Sequence, residues 1–103
     1  MELKVTSWTS EDAPTEEFLK ERFVEQELKV FRWSGPPDSK FDGHTHGYHK
    51  ILCVVNGSIK FEFPTRYETI NLNTGDQLDL PAGIRHNAIA GMDGVTCLEA
   101  HIY

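Results

Sequence analysis

From residue 28 onward the chain is a run of short β-patterned segments, each closed by residues that favour turns. The segments are LKVFRW, HKILCVV, SIKFEF, YETINL, DQLDL, HNAIA and VTCLEAHIY. The separators include NG, PTR, NTGD, PAG and GMDG. Alternation of apolar and polar residues at period two marks a strand with one dry and one wet face. Many short strands punctuated by Gly, Pro and Asn predict an all-β, antiparallel sandwich or barrel. The paired prolines of SGPPDSKFDG stop any regular element, so residues 34–43 are expected to be a loop.

One segment breaks the alternation. ILCVV, residues 51–55, is apolar at every position. Such a strand is covered on both faces. The barrel interior covers one. The other requires the N-terminal helix, a second sheet or a second copy of the chain, and the last of these makes a homodimer an expectation.

Ahead of the strands lie a short strand-like piece, LKVTSW, and the stretch EDAPTEEFLKERFVEQEL. Phe18, Leu19, Phe23 and Val24 recur at helical spacing, with Glu16 and Lys20 paired on the opposite side. Asp12 is a plausible N-cap, and Pro14, Glu16 and Glu17 suit a first turn. These features predict one amphipathic helix over about 13–27, followed by a barrel over about 28–103. At 103 residues the chain is expected to form a single domain.

The formal net charge of −6 argues against nucleic acid, where affinity comes from Lys and Arg on phosphates, and against anionic membrane surfaces. No apolar stretch approaches the roughly 20 residues of a membrane helix. The N-terminal MELKVTSW lacks the charged and apolar regions of a signal peptide, so a cytoplasmic location is expected. Cys53 and Cys97 are too few for a disulfide scaffold and lie in apolar runs. They read as reduced core thiols, with a catalytic thiol or a cysteine ligand as the alternative.

The segment GHTHGYHK concentrates the chemistry. Residues two apart on a strand share a face, so His44 and His46 are expected to project together. Neutral imidazoles at this spacing can bind one metal ion; a surface pair in a polar loop is the alternative. His86 follows LPAGIR, whose Pro-Gly turn would direct it into the barrel mouth. Three histidines from two strands would leave the coordination shell partly open, as catalytic metal sites require.

GHTHGYHKILCVVNG and GDQLDLPAGIRH together resemble the two signature motifs of the cupin family. His44, His46 and Gly57 match the first motif. Gly75, Pro81, Gly83 and His86 match the second at each defining position. The intermotif stretch has the length of that in small bacterial cupins. The resemblance implies an antiparallel double-stranded β-helix, the cupin jelly-roll barrel, with one N-terminal helix in front of it. It also implies one divalent transition metal, whether Fe, Mn, Ni, Zn or Cu, on His44, His46 and His86. Three positions depart from the pattern. Asp38 and Ala90 stand where glycine and asparagine are usual, and Lys50 stands where the first motif has its glutamate ligand.

Lys50 has the strand parity of His44 and His46 and is expected in the same cavity. There it would be a neutral nucleophile, a charged anchor for an anionic substrate, or a lysine that snorkels to solvent. Some cupins without the glutamate, thiol dioxygenases among them, use all-histidine iron sites. His49 is expected to face outward, with a fourth metal ligand as the alternative if a bulge after Gly47 turns it inward, and His101 is expected to be a structural histidine. Tyr48 is expected at the pocket mouth, with Leu52, Val54 and either Phe61 or Phe63 lining the pocket. No carboxylate shares the HTH strand face. Three readings follow. The first is a metal enzyme of oxidoreductase type acting on a small anionic molecule, with Lys50 catalytic. The second is a non-catalytic module that binds or senses a small ligand or metal. The third is a cupin in which Lys50 has displaced the metal chemistry.

Overall fold

The computed structural model describes residues 1–103. Seven strands and one helix follow in the order β1 (Lys4–Thr6), α1 (Glu16–Glu25), β2 (Phe31–Gly35), β3 (Lys40–His44), β4 (His49–Phe63), β5 (Glu68–Asn73), β6 (Gln77–Leu80) and β7 (His86–Ile102). All strand pairs are antiparallel.

The long strands β4 and β7 pair with each other over most of their length and carry the rest of the sheet. The first half of β4 also pairs with β6, and its second half with β5. The first half of β7 pairs with β3, and its second half with β2. Each long strand therefore serves two halves of one bent sheet, which is the jelly-roll barrel expected from the motifs.

Two separators read as turns are bends within strands. Asn56–Gly57 lies inside β4, and Gly91–Gly94 lies inside β7. Register slips at Val54/Asn56 and Gly57/Ile59 bend the pair there, as bulges do. Gly57 has φ +82°, and a Cβ on it would lie 2.0 Å from the Gly94 carbonyl oxygen. A side chain is therefore excluded where the strands cross closely. The loop expected over 34–43 is also shorter than read. Pro36 accepts from the Ser39 N–H at 3.1 Å, and β3 begins immediately afterwards at Lys40. The prolines confine a turn rather than the whole segment.

The helix is shorter than expected at both ends. Proline disfavours helical backbone in the residue before it, so the helix starts beyond Pro14. Thr15, and not Asp12, is the N-cap, its hydroxyl accepting from the Phe18 N–H at 3.1 Å. At the other end Glu27 takes a left-handed conformation, φ 59°. The Leu28 N–H then donates to Phe23 O and the Glu27 N–H to Val24 O, a Schellman closure. Leu19 and Phe23 are buried, whereas Phe18 and Val24 are exposed.

α1 supplies the cover that ILCVV requires. Leu52 and Val54 face the barrel core, while Ile51 and Cys53 pack with Leu19 and Phe23. Both cysteines are buried and free. Burial pushes the Cys53 thiol up to about 11 and raises that of Cys97 as well. Neither is a thiolate near neutral pH, and neither is reachable. Incubation of the native protein with iodoacetamide at pH 8 should therefore leave the intact mass unchanged. In denaturant both thiols should be alkylated; fast native labelling of either would contradict this packing. No helix is long and apolar enough to cross a membrane.

Candidate metal centre

His44 and His86 are directly opposed residues of β3 and β7. Their ring centroids are 4.8 Å apart. His46 reaches them by a different route from the one its spacing suggested. β3 ends at His44, and His46 lies in the link to β4. The PAG turn holds that link in place. The Gly83 N–H donates to His46 O at 2.9 Å, and the Ala82 N–H donates to His49 Nδ1 at 3.0 Å. Gly83 has φ +82°, a conformation that favours glycine. The second motif thus positions both His86, three residues on, and the loop bearing His46. The His46 ring lies 4.4 Å from His44 and 5.1 Å from His86.

The three rings form a group able to hold a metal ion, with one ligand nitrogen from each and all three within 4.8 Å of one another. Their hydrogen bonds suit that task. His44 Nδ1–H donates to Asp42 O at 2.6 Å, and His86 Nδ1–H donates to Ile84 O at 2.9 Å. A carbonyl only accepts, so each Nδ1 carries the proton and each Nε2 keeps its lone pair. His46 Nε2 is a buried polar atom without a partner. Such an orphan is rare and calls for an occupant; a cation shared with the other rings would satisfy it. Burial lowers His46 to about 4, with Lys50, His44 and His86 adding to the effect. Burial also lowers His86, although its bond to Ile84 opposes this. Both imidazoles are therefore neutral near pH 7, the form that ligates.

A cavity of about 190 Å³ adjoins the cluster. His44, His86 and Asn87 line it with Trp33, Phe41, Leu52, Ile59, Phe61 and Ala88, and it contains two charged side chains, Lys50 and Glu99. Phe61 lines it, and Phe63 lies in the core behind. Val54 is core as well and does not reach the cavity.

Glu99 was not anticipated: the expectation concerned carboxylates on the HTH strand face alone, and this one reaches the cavity wall from another strand. It comes from β7, in register with Leu52, while Lys50 is in register with His101. Glu99 Oε2 lies 3.5 Å from Lys50 Nζ, and the two side chains are only 11% and 12% exposed. Trp33 Nε1–H donates to Glu99 Oε1 at 3.0 Å, and His101 Nε2 lies 2.6 Å from Oε2. The sequence did hold a signal. Val95, Cys97 and Glu99 share strand parity, and Val95 and Cys97 are buried in the barrel core. A carboxylate on that face has to be internal.

The other histidines lie outside the cluster. His49 accepts from the PAG turn. His101 backs Glu99 and stacks on Tyr48, ring centroids 4.2 Å apart. Tyr48 also stacks on His46 at 4.8 Å.

With the geometry established, comparison with solved structures places the fold. The barrel is the double-stranded β-helix of cupin-2 and RmlC-like proteins. A cupin-2 domain-containing protein from Shewanella frigidimarina superposes with TM-score 0.58 at 19% identity, over 74% of this chain and 69% of that one. A DUF861 family protein from Thermotoga maritima matches with TM-score 0.63 at 19% identity, over 99% of this chain and 100% of that one. The polyketide cyclase RemF from Streptomyces resistomycificus matches with TM-score 0.64 at 20% identity, over 72% of this chain and 54% of that one. No protein-family model matches the sequence, and no curated protein matches it.

Proposed function

We propose that the protein is a metal-dependent enzyme acting on a small organic anion, with His44, His46 and His86 holding the metal and Lys50 meeting the anion. The observation that carries this reading is the convergence of three imidazoles, one with a buried and unpartnered nitrogen, beside a cavity with a lysine in its wall. Three neutral ligands would leave the ion's charge uncompensated and part of its shell open. A divalent transition ion bound there supplies Lewis acidity and, where redox-active, an electron relay. Imidazole donors suit zinc, copper, iron and nickel, most of which change oxidation state, so oxidoreductase-type chemistry is the class we favour.

The cavity limits the ligand. At about 30 Å³ per water, about 190 Å³ holds about six waters. That is below the range of drug-sized pockets and fits a small acid with an apolar body. Lys50 supplies fixed positive charge inside an apolar wall, where attraction to a carboxylate is screened less than in water. One observation favours a non-catalytic binding module instead. Glu99, the one carboxylate in the cavity wall, is held by Trp33 and His101 beside Lys50, so it is fixed as an acceptor and is not a mobile general base.

Calorimetric titration of the metal-loaded protein with small carboxylates tests the reading. Lys50→Met should weaken binding about tenfold or more, the value of a lost charge-assisted hydrogen bond. Stripping the metal with EDTA should abolish measurable binding. Unchanged affinity in both cases would reject it, and metal-dependent turnover would decide against the binding module.

A further inference from the structure

We infer that Lys50 and Glu99 form a two-pole recognition wall that selects small carboxylic acids bearing a hydroxyl group on the adjacent carbon. The inference rests on the reading that an organic anion binds at Lys50 beside the histidine cluster, and it specifies which anions.

A carboxylate offers about four lone-pair sites. On Glu99, Trp33 takes one at Oε1, while His101 and Lys50 face Oε2. One site on Oε1 is left, on a side chain that lines the cavity. Lys50 has three N–H donors. Its one ion-pair partner lies at 3.5 Å, beyond the usual hydrogen-bond range of about 2.7–3.2 Å. Its donors are therefore largely uncommitted. The wall presents donors and an acceptor side by side, and the remainder of the cavity is mostly apolar.

The acceptor is also rigid. Trp33 on β2 holds one oxygen and His101 on β7 the other. The His101 ring packs 4.2 Å from Tyr48 and 5.4 Å from Phe31. Glu99 cannot swing to Lys50 without losing those bonds, so it stays an acceptor for the ligand.

A matching ligand puts an anionic oxygen at Lys50 and a donor at Glu99. Lys50 Nζ lies 3.5 Å from Oε2, the nearer oxygen of the carboxylate whose Oε1 is the acceptor pole, so the two ligand groups belong on neighbouring carbons. A hydroxyl fits better than an ammonium, because Lys50 and the cation held by the histidines repel a positive group. An acid without the hydroxyl would leave the second lone-pair site of Glu99 Oε1 dry and unfilled, and sites built around such a group discriminate against ligands that lack the matching donor. A 2-oxo acid would point an acceptor at Glu99 and fare no better.

The test uses three acids of one skeleton on the metal-loaded protein: 2-hydroxy-3-methylbutanoate, 3-methylbutanoate and 2-oxo-3-methylbutanoate. In calorimetry the hydroxy acid should bind about tenfold or more tightly than either of the others. In Glu99→Leu, which removes the acceptor itself, the preference should shrink to about threefold or less. Should Glu99→Leu unfold through the stranded lysine, the paired variant Lys50→Met/Glu99→Leu removes both charges together and should show the same loss. Equal affinity for the three acids, or a preference that survives both variants, overturns the inference and leaves anion binding intact. Binding of none of them overturns the inference together with the reading beneath it.

Discussion

Replacing His86 by alanine should empty the metal site. Tag-free protein is expected to carry about one transition metal ion per chain, and the variant less than about a tenth of that after dialysis. The expectation follows from ligand count. A site of three histidines that loses one keeps two donors, too few to hold the ion against water. Mutations of residues that merely orient a ligand cost about 10–100-fold in metal affinity, so loss of the ligand itself should cost at least about 100-fold. His86 is buried, and its truncation also leaves a gap. His44→Ala is the cleaner partner experiment, because His44 is exposed and its removal disturbs little packing. Circular dichroism should show both variants folded. Elemental analysis showing wild-type metal content in either folded variant would refute the assignment of these histidines as ligands.

Much of this site was legible in the sequence because its second motif is a contiguous backbone device. A turn with a left-handed glycine, then a histidine at fixed distance, needs no knowledge of the rest of the chain. The spacing of His44 and His46 brought together two residues that do cluster with His86, but through the wrong element. Strand parity would have placed both on β3, yet His46 belongs to a link that Gly83, in the turn between β6 and β7, fastens at His46 O, while Ala82 holds His49 at the start of β4. Lys50 lines the cavity from β4, a different strand from the one bearing His44. The barrel class was also readable, from period-two alternation and turn residues. The continuity of β4 and β7 was not. Glycine in a strand marks either a turn or a bend, and only the close crossing at Gly57 and Gly94 decides for the bend. Glu99 escaped for a related reason. Parity could mark it as internal, but its place beside Lys50 follows only from the register of β4 on β7, and register is a tertiary property.

Glu99→Ala should be strongly destabilising, costing about 3–5 kcal/mol in the metal-free protein. The cost does not measure the worth of the ion pair. It is the penalty for leaving Lys50 charged, 12% exposed and without its carboxylate, with Trp33 Nε1–H also deprived of its acceptor. Replacing both charges by apolar residues should behave differently. Lys50→Met with Glu99→Leu removes two desolvated ions together, and such exchanges are often neutral or stabilising. Thermal unfolding of the three proteins separates these effects. For a domain of this size about 1 kcal/mol corresponds to about 4–8 °C, so Glu99→Ala should lower the midpoint by more than about 12 °C. The double variant should recover most of that loss, apart from the tryptophan bond. This non-additivity is the signature of a pair that exists for its charge pattern and not for stability. If the double variant were as unstable as Glu99→Ala, the pair would be a structural staple of the barrel. If instead it is stable but binds no hydroxy acid, Lys50 and Glu99 are retained at that position for the ligand they recognise.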